Sequence, residues 1–201
     1  RYLSPAITNK QSFKPKNIRA LFIISSMPKY VSSITFQTVG IKNIDWFNST
    51  LNLLKKIKDS EVLIKPYPAK WAKKGDRELE TITRGASSKI YNGNKSALFL
   101  MGKSRLILHN QLTTTFLESI GMNIPTICFY DEGTYSFSSS FQSYEDKFRE
   151  QKIFISSLDE CEKHYREIYE NPNTWWFDNK IQAVVKSFQS EFFNISDDWR
   201  L

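Results

Sequence analysis

What this sequence lacks narrows it before any motif is considered. Only two cysteines occur, Cys128 and Cys161, which are too few for a disulfide scaffold and wrongly patterned for a thiolate metal site. Cys128 lies inside an apolar, strand-like run, where a free buried thiol is expected, and the setting expected from such usage is a reducing cytoplasm. No apolar stretch approaches the roughly 20 residues that span a bilayer, and no signal peptide opens the chain. The first residue is Arg1 rather than Met, which suggests a piece of a longer protein. Glycines are scarce, and none falls into the phosphate-binding patterns G-x-x-x-x-G-K or G-x-G-x-x-G. H-E-x-x-H and G-x-S-x-G are missing as well. These absences argue against P-loop enzymes, typical dinucleotide dehydrogenases and lipase-like hydrolases, and no metal site is expected.

The charge is unbalanced, with a formal net of +7. Its lysines are dispersed, among them Lys14, Lys16, Lys55, Lys56, Lys58, Lys70, Lys73 and Lys74, and no DNA-reading motif gathers them. Nucleic acid is therefore not an expected partner. Peripheral contact with the inner face of an anionic membrane fits better, because surface lysines contribute about 1 kcal/mol each there. Hydrophobic residues at 40% and aromatics at 14% describe a folded chain rather than a disordered one.

Strand-like and helix-like segments alternate without repeats. Residues 19–24 form a continuous apolar run, as in a strand covered on both faces. Residues 43–57 carry apolar side chains at helical spacing, and 61–65 read as a short strand stopped by Pro66 and Pro68. Helices are expected around 76–83 and 95–101, with a weak strand at 89–91 between them. Strands at 105–108 and 124–130 flank a helix over 113–121, with Gly121 suited to its C-terminal cap. A strand at 152–155 precedes helices at 158–169 and 175–193. This alternation predicts an α/β fold with a doubly wound parallel sheet, Rossmann-like. The expected division is an N-terminal extension at 1–18, a donor-nucleotide domain at 19–172 and a C-terminal helix at 173–201.

Such sheets take their ligands outside the carboxyl ends of the strands. There the strand 105–108 runs into His109, Asn110, Gln111, Leu112, Thr113, Thr114 and Thr115. Free amides, the positive helix end and hydroxyl donors converge on an anion at such a place, so His109, Asn110, Thr113, Thr114 and Thr115 are phosphate-binding candidates, with Gln111 beside them. Glu118, about one turn in, is placed to accept from two ribose hydroxyls. The plainer alternative is that Thr113 caps the helix and Glu118 is solvated. Lys65 closes another strand at the same edge and is a further phosphate candidate. Asp131, next to Glu132, offers a base or metal ligand, against the plainer reading of a solvated turn. His164 sits on a charged helix and is expected at the surface.

Residues 104–131, SRLILHNQLTTTFLESIGMNIPTICFYD, resemble the core of bacterial transferases of surface-carbohydrate biosynthesis. MPKY at 27–30, IKPYP at 64–68, the pair Trp175-Trp176, and the helix carrying Gln182 and Phe188 extend the resemblance over about residues 19 to 195. More distantly, the layout is similar to the C-terminal domain of GT-B glycosyltransferases. That resemblance implies a metal-independent sugar transfer from a nucleotide-activated donor, with no other cofactor. It implies phosphate ligands at Thr113, Thr114 and Thr115 and a ribose ligand at Glu118. Tyr67-Pro68 stands where the relatives carry a His-Pro phosphate contact, so Lys65 would replace that contact by charge and Tyr67 is a further candidate. The catalytic base and the contacts to a glycan or lipid-linked acceptor would come from an N-terminal GT-B domain. A non-catalytic nucleotide-sugar-binding or assembly module, and a sugar-nucleotide epimerase, are the competing expectations. Trp175, Trp176 and Trp199 are expected to pack rather than to stack on sugar.

Overall fold

The computed structural model describes residues 17–24, 37–66, 79–134 and 137–193. Six parallel strands form one sheet: β1 (Ile18–Ile24), β2 (Val62–Pro66), β3 (Lys89–Ile90), β4 (Ser104–His109), β5 (Thr126–Phe129) and β6 (Phe154–Ile155). Their order is β3-β2-β1-β4-β5-β6, the doubly wound order of a Rossmann-like α/β fold, in which the chain reverses its direction of winding between β1 and β4.

The helices are α1 (Gln37–Lys56), α2 (Ala97–Met101), α3 (Thr114–Gly121), α4 (Ser139–Glu150), α5 (Leu158–Ile168), α6 (Pro172–Trp176) and α7 (Asn179–Phe192), with a helical segment at 79–83. Because strand side chains alternate between faces, β1 sends Phe22 and Ile24 to one side and Leu21 and Ile23 to the other. Phe22, Ile24, Ile64, Leu108 and Phe129 pack with Leu51 and Leu54 of α1 and with Cys161 and Tyr165 of α5. On the opposite face, Leu21, Ile23 and Ile107 meet Leu100 and Met101 of α2. Farther along that face, Phe116 and Ile120 of α3 join Cys128, Phe154, Trp176, Val185 and Phe188. Fully burying side chains of this size stabilises by about 1.5–3 kcal/mol each.

The sheet explains why the predicted strands are so apolar, since helices cover both of its sides. Cys128 is fully buried, as expected. Trp176 is buried too and donates through Nε1 to Asn123 Oδ1 at 2.8 Å, while Trp175 donates to the Gln151 carbonyl at 3.2 Å. Both therefore pack, and α6 and α7 lie on the same core as the sheet; Trp199 falls outside the described residues.

Two expectations are corrected. Gly121 is not the left-handed cap of α3. It is the last helical residue, and Asn123, at φ 51°, takes the left-handed position. His164 is not at the surface: it is 3% exposed, because Cys161, His164, Tyr165 and Ile168 form the buried stripe of α5.

Candidate functional site at the carboxyl edge of the sheet

Register sets the geometry at the carboxyl edge. Ile23 is level with Lys65 on one side and with His109 on the other, so Lys65 and His109 stand two strand spacings apart, roughly 10 Å. All three residues are in phase and point to the α2–α3 face.

Above this level lies a cavity of about 520 Å³, lined by Ile23, Ile24, Lys65, Pro66, residues 93–97 and Thr113, Thr114 and Thr115. Its size suits a small-molecule ligand. Four of the sequence candidates, Lys65 and the three threonines, therefore share one wall-to-wall space. Among the described residues no acidic side chain lines it, and Lys65 and Lys95 make it electropositive.

Thr113 occupies the N-cap of α3 but forms no side-chain capping bond. Its carbonyl accepts from Phe116 at 3.0 Å and Leu117 at 3.3 Å. The amides of Thr114 and Thr115 precede the first intrahelical donor, Phe116 N, and are left for another partner. The hydroxyls of Thr113 and Thr115 lie 2.9 Å apart, and Thr115 Oγ1 is 3.5 Å from His109 Nδ1.

His109 does not line the cavity; it is buried beneath α3. Its Nε2 is 3.3 Å from Ser119 Oγ, whose own proton is given to the Phe116 carbonyl at 2.7 Å. Ser119 therefore accepts from Nε2–H, and Nδ1 is the ring's acceptor, facing Thr115. Burial holds the imidazole neutral by pulling its pKa down to about 3. The result is a directed chain from Thr113 through Thr115 and His109 to Ser119, which leaves Thr114, exposed at the rim, with an uncommitted hydroxyl.

The remaining candidates go elsewhere. Asn110 is buried with its side chain toward Thr50 of α1 at 3.5 Å, and its carbonyl accepts from Trp46 Nε1 at 2.7 Å. Glu118 is half-buried outside the cavity lining, and burial raises its carboxyl pKa. Gln111 is partly exposed. Asp131 accepts from the Gly133 amide at 3.2 Å, and Glu132 pairs with Arg149. Tyr67 lies outside the described residues, as do Met27–Tyr30. Among the described residues no cluster of His, Cys, Asp and Glu is arranged to hold a metal ion, and no helix is long and apolar enough to cross a membrane.

Sequence reasoning missed the wall at residues 93–97. The signal was available: Tyr91-Asn92-Gly93-Asn94-Lys95-Ser96 is a polar turn following a strand, so the rule that led to Thr113 applies equally there.

No curated protein matches the chain. A family model, described as LIC12162 family transferase, matches residues 2–201 and thus covers the sheet, both helical layers and the whole cavity. The chain belongs to the LIC12162 family of transferases.

Proposed function

We propose that this chain is the donor-nucleotide-binding domain of a GT-B-like glycosyltransferase that builds bacterial surface polysaccharide. The observation that carries the reading is the electropositive cavity at the winding switch, where Lys65 faces the amides and hydroxyls of the threonine turn. A phosphate there accepts from the Thr114 and Thr115 amides, from the Thr114 hydroxyl and from Lys65. In the transfer, the sugar's anomeric carbon loses its bond to the phosphate oxygen, which departs with the electron pair. The same carbon gains a bond to the acceptor oxygen. Donors already aimed at the leaving oxygen stabilise the developing charge and cost no reorganisation at that moment, an effect worth a few kcal/mol per donor. Lys65 supplies positive charge that in other transferases a metal ion brings. The acceptor, a glycan or lipid-linked saccharide, and the base that takes its proton belong to an N-terminal GT-B domain, and the net charge of +7 favours working beside an anionic membrane.

The test is thermal unfolding of the chain with UDP, GDP, dTDP, CDP and CMP in turn. A ligand at a hundredfold its Kd stabilises by about 2.7 kcal/mol, which for a domain of this size is roughly 5–10 °C. At least one nucleotide is expected to give such a shift. No shift with any of them contradicts the proposal.

A further inference from the structure

The threonine turn accounts for one wall of the cavity and leaves the opposite wall unexplained. That wall is organised around Tyr91. The Tyr91 amide donates to the Ile64 carbonyl at 2.8 Å, which carries the pairing of β3 with β2 one residue beyond the strand. Its ring lies under Lys65 Nζ, 5.4 Å from the centroid, a distance at which a cation is attracted to an aromatic face. Its hydroxyl accepts from the Lys95 amide at 3.0 Å. Gly93 wraps the same ring: a Cβ there would lie 2.6 Å from Tyr91 Cζ, so any larger residue would displace the loop or the phenol. One tyrosine thus touches both cavity lysines, the Lys65 ammonium through its ring and the Lys95 backbone through its hydroxyl.

These lysines also differ from the cations of the fold that are held in ion pairs. Arg19, Lys56, Arg149 and Arg166 each meet carboxylates. Lys65 and Lys95 meet none among the described residues; like those of Lys103 and Lys147, their side-chain contacts are aromatic, Lys95 Nζ standing 5.3 Å from the Phe99 centroid, but Lys65 and Lys95 are the two that line the cavity. Two lysines lining one cavity, with no carboxylate partner among the described residues, suit an anion larger than the single phosphate that the threonine turn can hold.

We propose that Lys65 and Lys95, positioned by Tyr91, hold a second phosphate, so that the site selects nucleoside diphosphate donors over monophosphate-linked ones. This rests on the donor-site reading above and adds the class of donor. Tyr91 is a positioning residue; it need not touch the ligand.

The experiment compares Kd values for UMP with UDP, CMP with CDP, and GMP with GDP, by calorimetry at fixed ionic strength, on the full chain. For the base that binds, the diphosphate is expected to bind roughly ten- to hundredfold tighter, as charge-assisted contacts to a second phosphate imply. Lys95→Gln should bring that ratio close to one while monophosphate binding persists. Tyr91→Phe, which keeps the ring under Lys65 and loses the bond to the Lys95 amide, should lower the ratio less than Tyr91→Leu. Lys95 is exposed, so its variant reports even if Tyr91→Leu does not fold. Equal affinity for both members of each pair, or a ratio untouched by Lys95→Gln, overturns the inference. If Thr114→Ala still weakens binding in that case, the donor-site reading survives it. Absence of all nucleotide binding overturns both.

Discussion

His109 Nε2 lies 3.3 Å from Ser119 Oγ, which ties the last residue of β4 to the helix that follows the threonine turn. The turn is therefore supported from below by a buried, neutral imidazole. Ser119→Ala leaves that ring nitrogen without its partner in an apolar setting, a loss of about 1–3 kcal/mol. Urea unfolding is expected to show a lower midpoint with an unchanged m-value. A midpoint equal to that of the parent would mean that the contact contributes nothing.

The same directed chain separates the threonines. The Thr113 and Thr115 hydroxyls are committed to one another and to His109, whereas the Thr114 hydroxyl is not. Thr114→Ala is expected to weaken nucleotide binding by roughly tenfold, the scale of one hydrogen bond to a charged group. Thr113→Val should weaken it less. Calorimetric titration of both variants checks the order, and the reverse order would contradict the assigned hydroxyl directions.

Both buried histidines make stability pH-dependent in the same sense. Burial lowers His109 from 6.5 to about 3, and burial, aided by Lys152, lowers His164 to about 4. Unfolded, each takes a proton near 6.5, so below that pH the unfolded chain binds more protons and stability falls as pH falls. At pH 5 each histidine costs about 2 kcal/mol relative to neutral pH. The carboxylates Asp59, Glu132, Glu145 and Glu162 are held below their usual range, so their contribution is lost at lower pH still. Both ring nitrogens of His164 lack a hydrogen-bond partner, and the Glu167 carboxylate at 3.7 Å from Nδ1 is too distant to provide one. His164→Leu is thus expected to be neutral or stabilising at pH 7 and to halve the loss between pH 7 and 5. Chemical unfolding at the two pH values measures this, and an undiminished loss in the variant would refute it.

Glu145 is 6% exposed and accepts from Tyr130 at 2.7 Å, Gln142 at 2.7 Å and Arg149 at 2.7 Å. Burial pushes its carboxyl up, but Arg149 and Tyr130 outweigh that and hold it below the usual range. Glu145→Ala removes an acceptor shared by these three donors, of which Arg149 keeps Glu132, and is expected to cost about 1.5–3 kcal/mol, the scale of hydrogen bonds to a charged group. Thermal unfolding reads the loss; a shift of only a degree or two would show that the network is dispensable.

Asn123 combines a left-handed backbone with side-chain bonds to Trp176 and Gln182. Asn123→Gly keeps the backbone and loses the bonds, whereas Asn123→Ala loses both. Alanine is expected to be the more destabilising by about 1 kcal/mol, measured by urea midpoint, and equal effects would assign the whole cost to the side chain.

The sheet was legible because the chain writes it in continuous apolar runs: β1, β4 and β5 are found within two residues of where the sequence puts them. Helix C-termini and single polar residues were harder to read. His164 looks solvated beside Lys163, Arg166 and Glu167, and only the spacing of Cys161, Tyr165 and Ile168 shows that its own face is buried. At the cavity, Lys65 and the threonines could be found from one rule about strand ends. Lys95 was hidden because the sequence reads as a helix from 95, whereas Ser96 caps that helix and Lys95 belongs to the turn before it. His109 was legible as a strand end, but its burial depends on α3 folding back over it, which no local pattern encodes.

The central claim is that an anion sits between Lys65 and the start of α3. A crystal structure of the chain with a bound nucleoside diphosphate tests it most directly. The account predicts a phosphate oxygen within hydrogen-bonding distance, about 2.7–3.2 Å, of the Thr114 or Thr115 amide, with Lys65 Nζ on the same diphosphate. A nucleotide seated elsewhere, with this cavity closed by the protein's own side chains, would contradict it.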